Sequence, residues 1–221
     1  RRRLPSVFPA HPCRFGLVLL VRSLQQVSVP VRHAVVRALS KIHKADDFSF
    51  DPDPIDTAID RDVAHYAALG QIRRLSREGD DLSLSATQVG SLREEALERV
   101  FRLLGLRYDQ RDIYDAYLGI TSPDPALRDS AIEFVDNLVD YSTRRVLLPL
   151  LDDPEGEQAL AIGQQYFDLE IRDSTAARRY LRSIDDPRLE ALFSETDEHS
   201  LQLGINGSPS ESVAVSSSVD E

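Results

Sequence analysis

The sequence predicts an all-α protein, organised as a solenoid of stacked helical hairpins. Three observations indicate this fold. A turn with two prolines at 121–128 (TSPDPALR) leads into apolar residues at helical spacing, and 28–32 (SVPVR) and 185–189 (DDPRL) echo that turn. Each copy follows one apolar helix-like segment and begins another. A helix, a tight turn and a second helix together form one unit of an α-solenoid.

The clearest copy assigns a structural role to each of its turn residues. Asp124 can cap the following helix, and Pro125 can occupy its first position, where a missing N–H is harmless. Leu127 and Val135 lie on the apolar series of that helix. We therefore expect both side chains to face the core of the repeat.

The arginines of the copies have a structural explanation as well. Arg128 follows the capping aspartate by four residues, and Arg32 falls at the same place in the first echo. Either can reach back across its turn or to the neighbouring repeat, so we expect them to join adjacent units without forming a functional site. The predicted structural turn residues are Asp124, Pro125, Leu127, Arg128, Pro30, Arg32, Asp186 and Pro187.

The chain begins with a lead-in and a helical hairpin. Residues 1–14 hold three prolines and no periodicity, so we expect a flexible segment there. Residues 15–27 and 29–43 predict the two helices of a hairpin. Pro30 lies in the first turn of the second helix, where it is tolerated.

A long helical hairpin over 55–107 is predicted to be inserted between the repeats. The pair Asp53-Pro54 supplies an N-cap and a first-position proline for a helix that runs to about Arg77. Apolar residues recur along it at intervals of three and four, which makes one buried stripe. Capping-box patterns at 85–88 and 91–94 place the start of the second helix near one of them.

Further helical segments complete the predicted domain, which spans 15–193. They are 110–121, 125–139, 143–152, a helix from Asp153-Pro154 to about Phe167, 174–184 and 186–193. Pro149 should kink or end the third of these segments. From Ser194 the composition shifts to Ser, Gly and acidic residues without Lys or Arg, so 194–221 is expected to be a disordered acidic tail.

Composition restricts the possible functions. The net charge of −11 argues against nucleic acid as a partner, since only a local basic strip such as Arg73, Arg74 and Arg77 could hold phosphates. The single Cys13 excludes an internal disulfide and a Cys-based zinc site. The longest apolar run, 16–21, falls far short of a membrane span. The chain contains no methionine, so we expect a piece of a longer protein.

Side chains that could hold a metal are scattered. Asp62 and His65 stand at i, i+3 on one predicted helix, after Asp56 and Asp60. Such a pair can bind a metal when another helix supplies further ligands. Acidic residues also crowd the early turns of helices because they complement the helix dipole. We expect the second explanation to hold, with His65 at the surface or half-buried, and we expect no cofactor.

Other chemistry-bearing patterns are equally sparse. The sequence shows no Gly-rich phosphate loop, nucleophile elbow or kinase signature. Several tyrosines lie on or beside predicted helices, where they could stack on bases or on a nucleotide ring. Packing between helices with the hydroxyl at the surface is the interpretation we favour. These tyrosines are Tyr66, Tyr108, Tyr114, Tyr117 and Tyr180.

Residues 92–153 resemble a known family. The segments 95–108 (EALERVFRLLGLRY), 122–128 (SPDPALR) and 144–153 (RRVLLPLLDD) are similar to the soluble HEAT-repeat region that follows the membrane part of bacterial proteins related to ATP/ADP translocases. The resemblance implies a HEAT-like α-solenoid. The family has Tyr-Pro-Pro where this chain has Tyr108-Asp109-Gln110, although Asp109 can still cap the next helix.

The resemblance implies a function without catalysis. We expect a scaffold or regulatory module, forming the cytoplasmic part of a translocase-like membrane protein at the inner membrane face, with nucleotide transport carried by the linked membrane domain. Repeat solenoids usually bind proteins in a groove lined by the second helix of each unit. A free-standing protein-binding module is the alternative. An enzyme, either a metal hydroxylase or a DNA glycosylase, is a third possibility that the absent His-Glu pairs and the net charge disfavour.

Overall fold

The computed structural model describes residues 14–189, except 27, 47–49, 80, 81, 83 and 154. The described residues form helices and no strand, which confirms the predicted all-α class. The predicted tail over 194–221 and nearly all of the lead-in lie outside the described residues. The helices are α1 (Arg14–Ser23), α2 (Val29–Asp46), α3 (Pro52–Glu78), α4 (Ala86–Leu104), α5 (Gln110–Ile120), α6 (Pro125–Leu138), α7 (Tyr141–Asp152), α8 (Glu157–Phe167) and α9 (Ser174–Ser183).

Side-chain caps fix where several helices begin. Asp109 accepts hydrogen bonds from the backbone N–H groups of Arg111 and Asp112, at 2.9 and 3.0 Å, and so caps α5. The capping box predicted at 85–88 is confirmed at the start of α4, where Ser85 and Gln88 exchange bonds of 3.2 and 2.8 Å. Local sequence therefore determines these two boundaries.

Two predicted helix starts are wrong. The cap of α3 is Asp51, two residues before the predicted Asp53, because Pro52 can take the first position as readily as Pro54. The helix after Pro149 begins at Glu157, with Gly156 as its N-cap. Asp153 instead ends α7, where its backbone N–H donates to the carbonyl of Pro149 at 3.2 Å. Helix α7 thus continues one short turn beyond its proline.

The predicted long hairpin forms the centre of the molecule. Helices α3 and α4 pack extensively against each other, and their inner residues Leu69, Ile72, Val100, Leu103 and Leu104 are fully buried. The α1–α2 pair covers one side, with α2 on α4 and α1 on α3. The successive packing of α4, α5, α6, α7 and α8 leads back to α3. The α3–α4 hairpin is thus the packing surface for α1, α2, α5, α8 and α9, whereas α6 and α7 pack mainly on their neighbours in the chain.

The end of the described chain returns to its beginning. Helix α9 packs on α3, and the N–H of Val29 donates to the carbonyl of Asp185 at 3.2 Å. In an extended solenoid each repeat contacts only its neighbours. The return of α8 and α9 to α3 adds contacts between residues that are far apart in sequence. The HEAT-like description therefore remains a proposal.

The α5–α6 hairpin corrects one expected core position. Val135 is fully buried as predicted, but the side chain of Leu127 is 56% exposed. Helix α5 ends near Leu127, and its penultimate residue is Gly119. A Cβ added to Gly119 would lie 2.6 Å from the Cβ of Ala131 and 3.4 Å from the carbonyl oxygen of Leu127. The two backbones are therefore close at Ala131, whereas Leu127 lies in the first turn of α6, where residues 125–130 are all exposed.

No helix among the described residues is long and apolar enough to cross a membrane.

Candidate functional site

The interior of the molecule contains a buried ion-pair cluster. The Asp62 carboxylate on α3 is 1% exposed. It accepts a hydrogen bond of 3.0 Å from Nε of Arg99 on α4, and Nη2 of Arg32 on α2 lies 3.5 Å from the same oxygen. A buried charge is costly unless it is paired and hydrogen-bonded. These contacts join three helices and give Asp62 a structural role.

His65 extends this cluster towards α9. Its Nδ1 shares a hydrogen bond of 2.9 Å with the hydroxyl of Tyr180. Burial, reinforced by the charge of Arg99, lowers the pKa of His65 to about 3, so the ring is neutral near pH 7. Burial raises the pKa of Tyr180, which keeps its hydroxyl protonated. His65 is therefore an interior residue, contrary to the expectation that it lies at the surface or half-buried.

The metal hypothesis for Asp62 and His65 finds no further ligands in the described residues. No group of three His, Cys, Asp or Glu side chains there is arranged to hold a metal ion. The Asp62 oxygen Oδ1 faces the two arginines. The explanation by helix dipole also fails for Asp62, because this residue lies beyond the early turns of α3 and inside the protein.

The predicted turn residues Asp186 and Pro187 close the last hairpin. Asp186 is buried and accepts the backbone N–H of Arg188 at 3.0 Å. The Arg188 guanidinium donates to Asp186 at 2.6 Å and forms two bonds of 2.7 and 3.0 Å with Glu95 on α4. The bonds from Arg188 lower the pKa of the Glu95 carboxyl. The last turn of the described residues is thereby held against α4.

The first echo lies beside this last turn. Pro30 is the second residue of α2, and with Pro187 it lines a cleft of about 450 Å³ that also contains His33. The structure therefore brings the turns at 28–32 and 185–189 together. The clear copy at 121–128 belongs to the α5–α6 hairpin and lies elsewhere.

Arg32 and Arg128, which occupy the same position in two copies of the turn, have different environments in the structure. Asp124 caps α6 as predicted, since its Oδ1 accepts the N–H of Ala126 at 3.0 Å, and Pro125 is the first helical residue. Arg128 is exposed and forms no ion pair with the described residues. Arg32 is buried and also donates to the carbonyl of Gln26 at 3.2 Å. Only Arg32 thus joins neighbouring helices.

The basic strip predicted at Arg73, Arg74 and Arg77 is neutralised within the protein. Glu155, which precedes α8, accepts bonds of 2.6 Å from Arg73 and 3.2 Å from Arg77. It lies 3.3 Å from Arg93 on α4 as well. Arg74 pairs with Glu78 and Glu157. The strip therefore attaches the start of α8 to the central hairpin.

A wide concave surface lies on another side, and we name it the α2–α5 groove. It is formed by the last turns of α2, the end of α4 with the following turn, and the first turns of α5, and it encloses about 1310 Å³. Its basic residues outnumber its acidic ones, Asp109 and Asp115. The basic residues are Lys41, Lys44, Arg102, Arg107 and Arg111, which include both lysines of the chain.

Two of these five cations are paired. Arg107 donates to Asp56 at 2.6 Å, and Arg102 lies 2.7 Å from Glu98. Lys41, Lys44 and Arg111 are exposed and form no ion pair with the described residues. Among the described residues, these are the groove cations that no carboxylate neutralises.

An apolar recess of about 60 Å³ adjoins the groove. Phe101, Ile113 and Tyr117 contribute to its wall, and the rings of Phe101 and Tyr117 lie 5.6 Å apart. Tyr114 borders both the recess and the groove and is 58% exposed. Gln110 stands at the same border and donates to the carbonyl of Ser40 at 3.0 Å, which joins α5 to α2.

Sequence reasoning missed this groove. The expected groove was lined by the second helix of each repeat, and α2 is the only such helix that lines the observed one within the described residues. A usable signal was present, because the chain's two lysines stand three residues apart near the end of one predicted helix. The sequence did not show that Arg107 and Arg111 line the same surface as these two lysines.

A scan against protein-family models finds no match to this chain, and searches of curated proteins and of solved structures find no significant match. The resemblance to translocase-related proteins therefore stays a prediction. The geometry of the described residues is the main basis for assigning a function.

Proposed function

We propose that this chain is a non-catalytic helical scaffold or regulatory module that binds a partner protein in the α2–α5 groove. The observation that carries this proposal is the groove itself, a concave surface beside an apolar recess, with three cations that form no ion pair with the described residues. Protein-recognition surfaces commonly combine an apolar anchor site with a polar rim. A groove between helix ends is a suitable receptor for a single segment of a partner.

The buried titratable groups support a structural assignment. Asp62 is held between two arginines, and His65 is bonded to Tyr180. Arg188 joins Asp186 to Glu95. Each group has a partner that accounts for its position by stabilising the packing of helices. The α2–α5 groove shares no lining residue with this cluster.

The HEAT-like architecture is the finer part of the proposal. The α1–α2 and α5–α6 pairs are helical hairpins, and the long α3–α4 hairpin separates them. This order agrees with repeats interrupted by an insertion. We further propose, from the resemblance over 92–153, that the module is the cytoplasmic part of a translocase-like protein at the inner membrane face.

Site-specific photocrosslinking tests binding in the groove. Tyr114 is replaced by p-benzoylphenylalanine in cells that make the full-length protein, and Tyr141 serves as the matched control. Tyr141 is 67% exposed but does not line the groove. We expect a discrete light-dependent adduct with another protein from position 114 alone. The same adducts from both positions, or none from 114, would contradict the proposal.

The coding sequence upstream of Arg1 tests the attachment to a membrane domain. Several apolar spans of ~20 residues directly before Arg1 would support it. A start codon immediately upstream would favour the free-standing binding module instead, with the groove assignment unchanged.

A further inference from the structure

We infer that the occupant of the α2–α5 groove is an acidic segment of the partner protein, with one short aliphatic side chain seated in the apolar recess. This inference rests on the proposed function, and it specifies the chemistry of the partner.

The charge of the groove identifies an acidic ligand. Lys41, Lys44 and Arg111 are exposed without an ion pair among the described residues, in a chain whose net charge is −11. These three cations outnumber the groove's two acidic residues, Asp109 and Asp115, so the groove differs in sign from the protein as a whole. Complementary charge gives an acidic partner both faster association and specificity.

The recess identifies an aliphatic anchor. Its volume of about 60 Å³ exceeds the space needed for one water, roughly 10–15 Å³, and is smaller than the ~150 Å³ cavity that accommodates benzene. A valine or leucine side chain suits this range. Phe101, Ile113 and Tyr117 supply apolar contacts for it.

These two features together favour a peptide over a nucleic acid. A polynucleotide also carries negative charge, but its largest alkyl group is the single C5-methyl of thymine, which is too small to fill the recess. Tyr114 at the border can pack against the anchor or against the peptide backbone. The peptide interpretation therefore accounts for both the charges and the recess.

Fluorescence anisotropy with the full chain tests the inference. The probe is a labelled twelve-residue peptide of Glu and Asp with a central Leu. Its controls are the Leu→Ala peptide, the peptide with Gln and Asn in place of the acids, and a labelled twelve-residue oligothymidylate. We expect either peptide change to weaken binding by about tenfold or more, and the oligonucleotide to bind more weakly than the probe. Added salt should weaken binding of the probe.

Matched protein variants locate the binding site. The Lys41→Glu, Lys44→Glu double variant should weaken binding of the probe by about tenfold or more. Arg179→Glu is the control, because Arg179 is exposed on α9 and does not line the groove. Gly105→Ala adds a methyl group to the recess wall at a φ of −66°, which alanine adopts readily. This variant should weaken binding of the Leu peptide more than binding of the Ala peptide. Circular dichroism checks that each variant is folded.

Several outcomes would overturn the inference. These are equal affinity for the Leu and Ala peptides, tighter binding of oligothymidylate than of the probe, and an unchanged affinity in the lysine variant. If the position-114 adduct forms with a partner protein but the acidic probe shows no preference, only the inference fails. If neither adduct nor peptide binding is observed, the proposed function fails as well.

The crosslink at position 114 also distinguishes other occupants. An adduct within the chain that maps to 190–221, which has seven acidic residues and no Lys or Arg, would assign the groove to the chain's own C-terminal segment. An adduct between two copies would assign it to self-association. Either result would overturn the assignment to a partner protein.

Discussion

Asp62 is the single residue that most clearly joins helices in this interior. Its carboxylate lies between Arg32 of α2 and Arg99 of α4, and all three side chains are buried. Replacing a buried ion cluster with apolar residues can be neutral, whereas removing one partner leaves uncompensated charge. The effect of a substitution therefore depends on what remains behind.

Asp62→Asn should destabilise the protein by about 3–5 kcal/mol, because it leaves two buried guanidinium groups without their counter-ion. Urea denaturation followed by circular dichroism measures the change. Asp60→Asn is the matched control on the same helix. Asp60 is exposed, so its substitution should change the free energy of unfolding by less than about 0.5 kcal/mol. Equal effects of the two variants would contradict the buried-cluster assignment.

His65 should make stability depend on pH. Its pKa is about 3 in the folded protein, against roughly 6.5 when unfolded, so the unfolded chain binds more protons between these values. The free energy of unfolding is therefore unaffected by His65 above pH 6.5. It falls by up to about 1.4 kcal/mol per unit as the pH decreases below that. The charged neighbours Arg99, Asp62, Arg32 and Asp186 surround this site.

Urea melts between pH 7 and 5 check this dependence, above the range where most carboxylates titrate. His65→Gln should flatten the stability profile in that window, although it lowers stability at pH 7 through the loss of packing. His43→Gln, on α2, is the comparison variant. An unchanged slope in His65→Gln would show that other groups cause the pH dependence.

At the level of elements, the residues of α6 contribute to stability in different ways. Val135 is fully buried, Asp124 caps the helix, and Leu127 and Arg128 are exposed. We expect losses of roughly 1.5–3 kcal/mol for Val135→Ala and about 0.5–2 kcal/mol for Asp124→Ala. Leu127→Ala and Arg128→Ala should each cost less than about 0.5 kcal/mol. Urea denaturation gives the ranking, and a large effect at Leu127 would show that this face of α6 is covered.

The start of α8 depends on the three arginines around Glu155. Glu155→Gln should cost about 1–3 kcal/mol, since the carboxylate accepts charge-assisted bonds from α3 and α4. It should also speed proteolysis near 153–157. Glu157→Gln is the control, because that side chain is 90% exposed and its pair contributes about 0–1 kcal/mol. Thermal melts and limited proteolysis distinguish the two variants.

The sequence predicted where individual helices begin better than it predicted which side chains of separate helices meet. The capping box at Ser85 and the cap at Asp109 act within a few residues, so local patterns were sufficient for α4 and α5. The sequence did not show that Arg32 is buried and Arg128 exposed, because Arg32 pairs with Asp62, which lies thirty residues further along the chain. The α2–α5 groove likewise joins residues from separate helices. Its cations were visible in the sequence, but their common surface was not.

The whole molecule is closed by contacts that the last described residues form with the start of α2 and with α4. Val29 bonds to Asp185, and Arg188 holds Glu95 on the central hairpin. Arg188→Ala should therefore speed hydrogen exchange in α9 while the exchange of the α3–α4 hairpin stays slow. Mass spectrometry of exchanged peptides measures both regions. Arg182→Ala, on α9 itself, is the comparison. Uniform loss of protection would mean that Arg188 stabilises the whole molecule rather than its closing contacts.

The closing contacts have a consequence during protein synthesis. Arg99 and Arg188 are 89 positions apart, so at roughly 5–20 residues per second the ribosome adds Arg188 about 4–18 s after Arg99. Until Tyr180 and Asp186 have emerged, the nascent chain cannot cover the side of α3 and α4 that carries His65 and Arg99. The contacts of Tyr180 with His65 and of Arg188 with Glu95 can therefore form only late in synthesis. A ribosome that stalled before Tyr180 would hold a chain with its central hairpin made and one polar face of its interior still in contact with water.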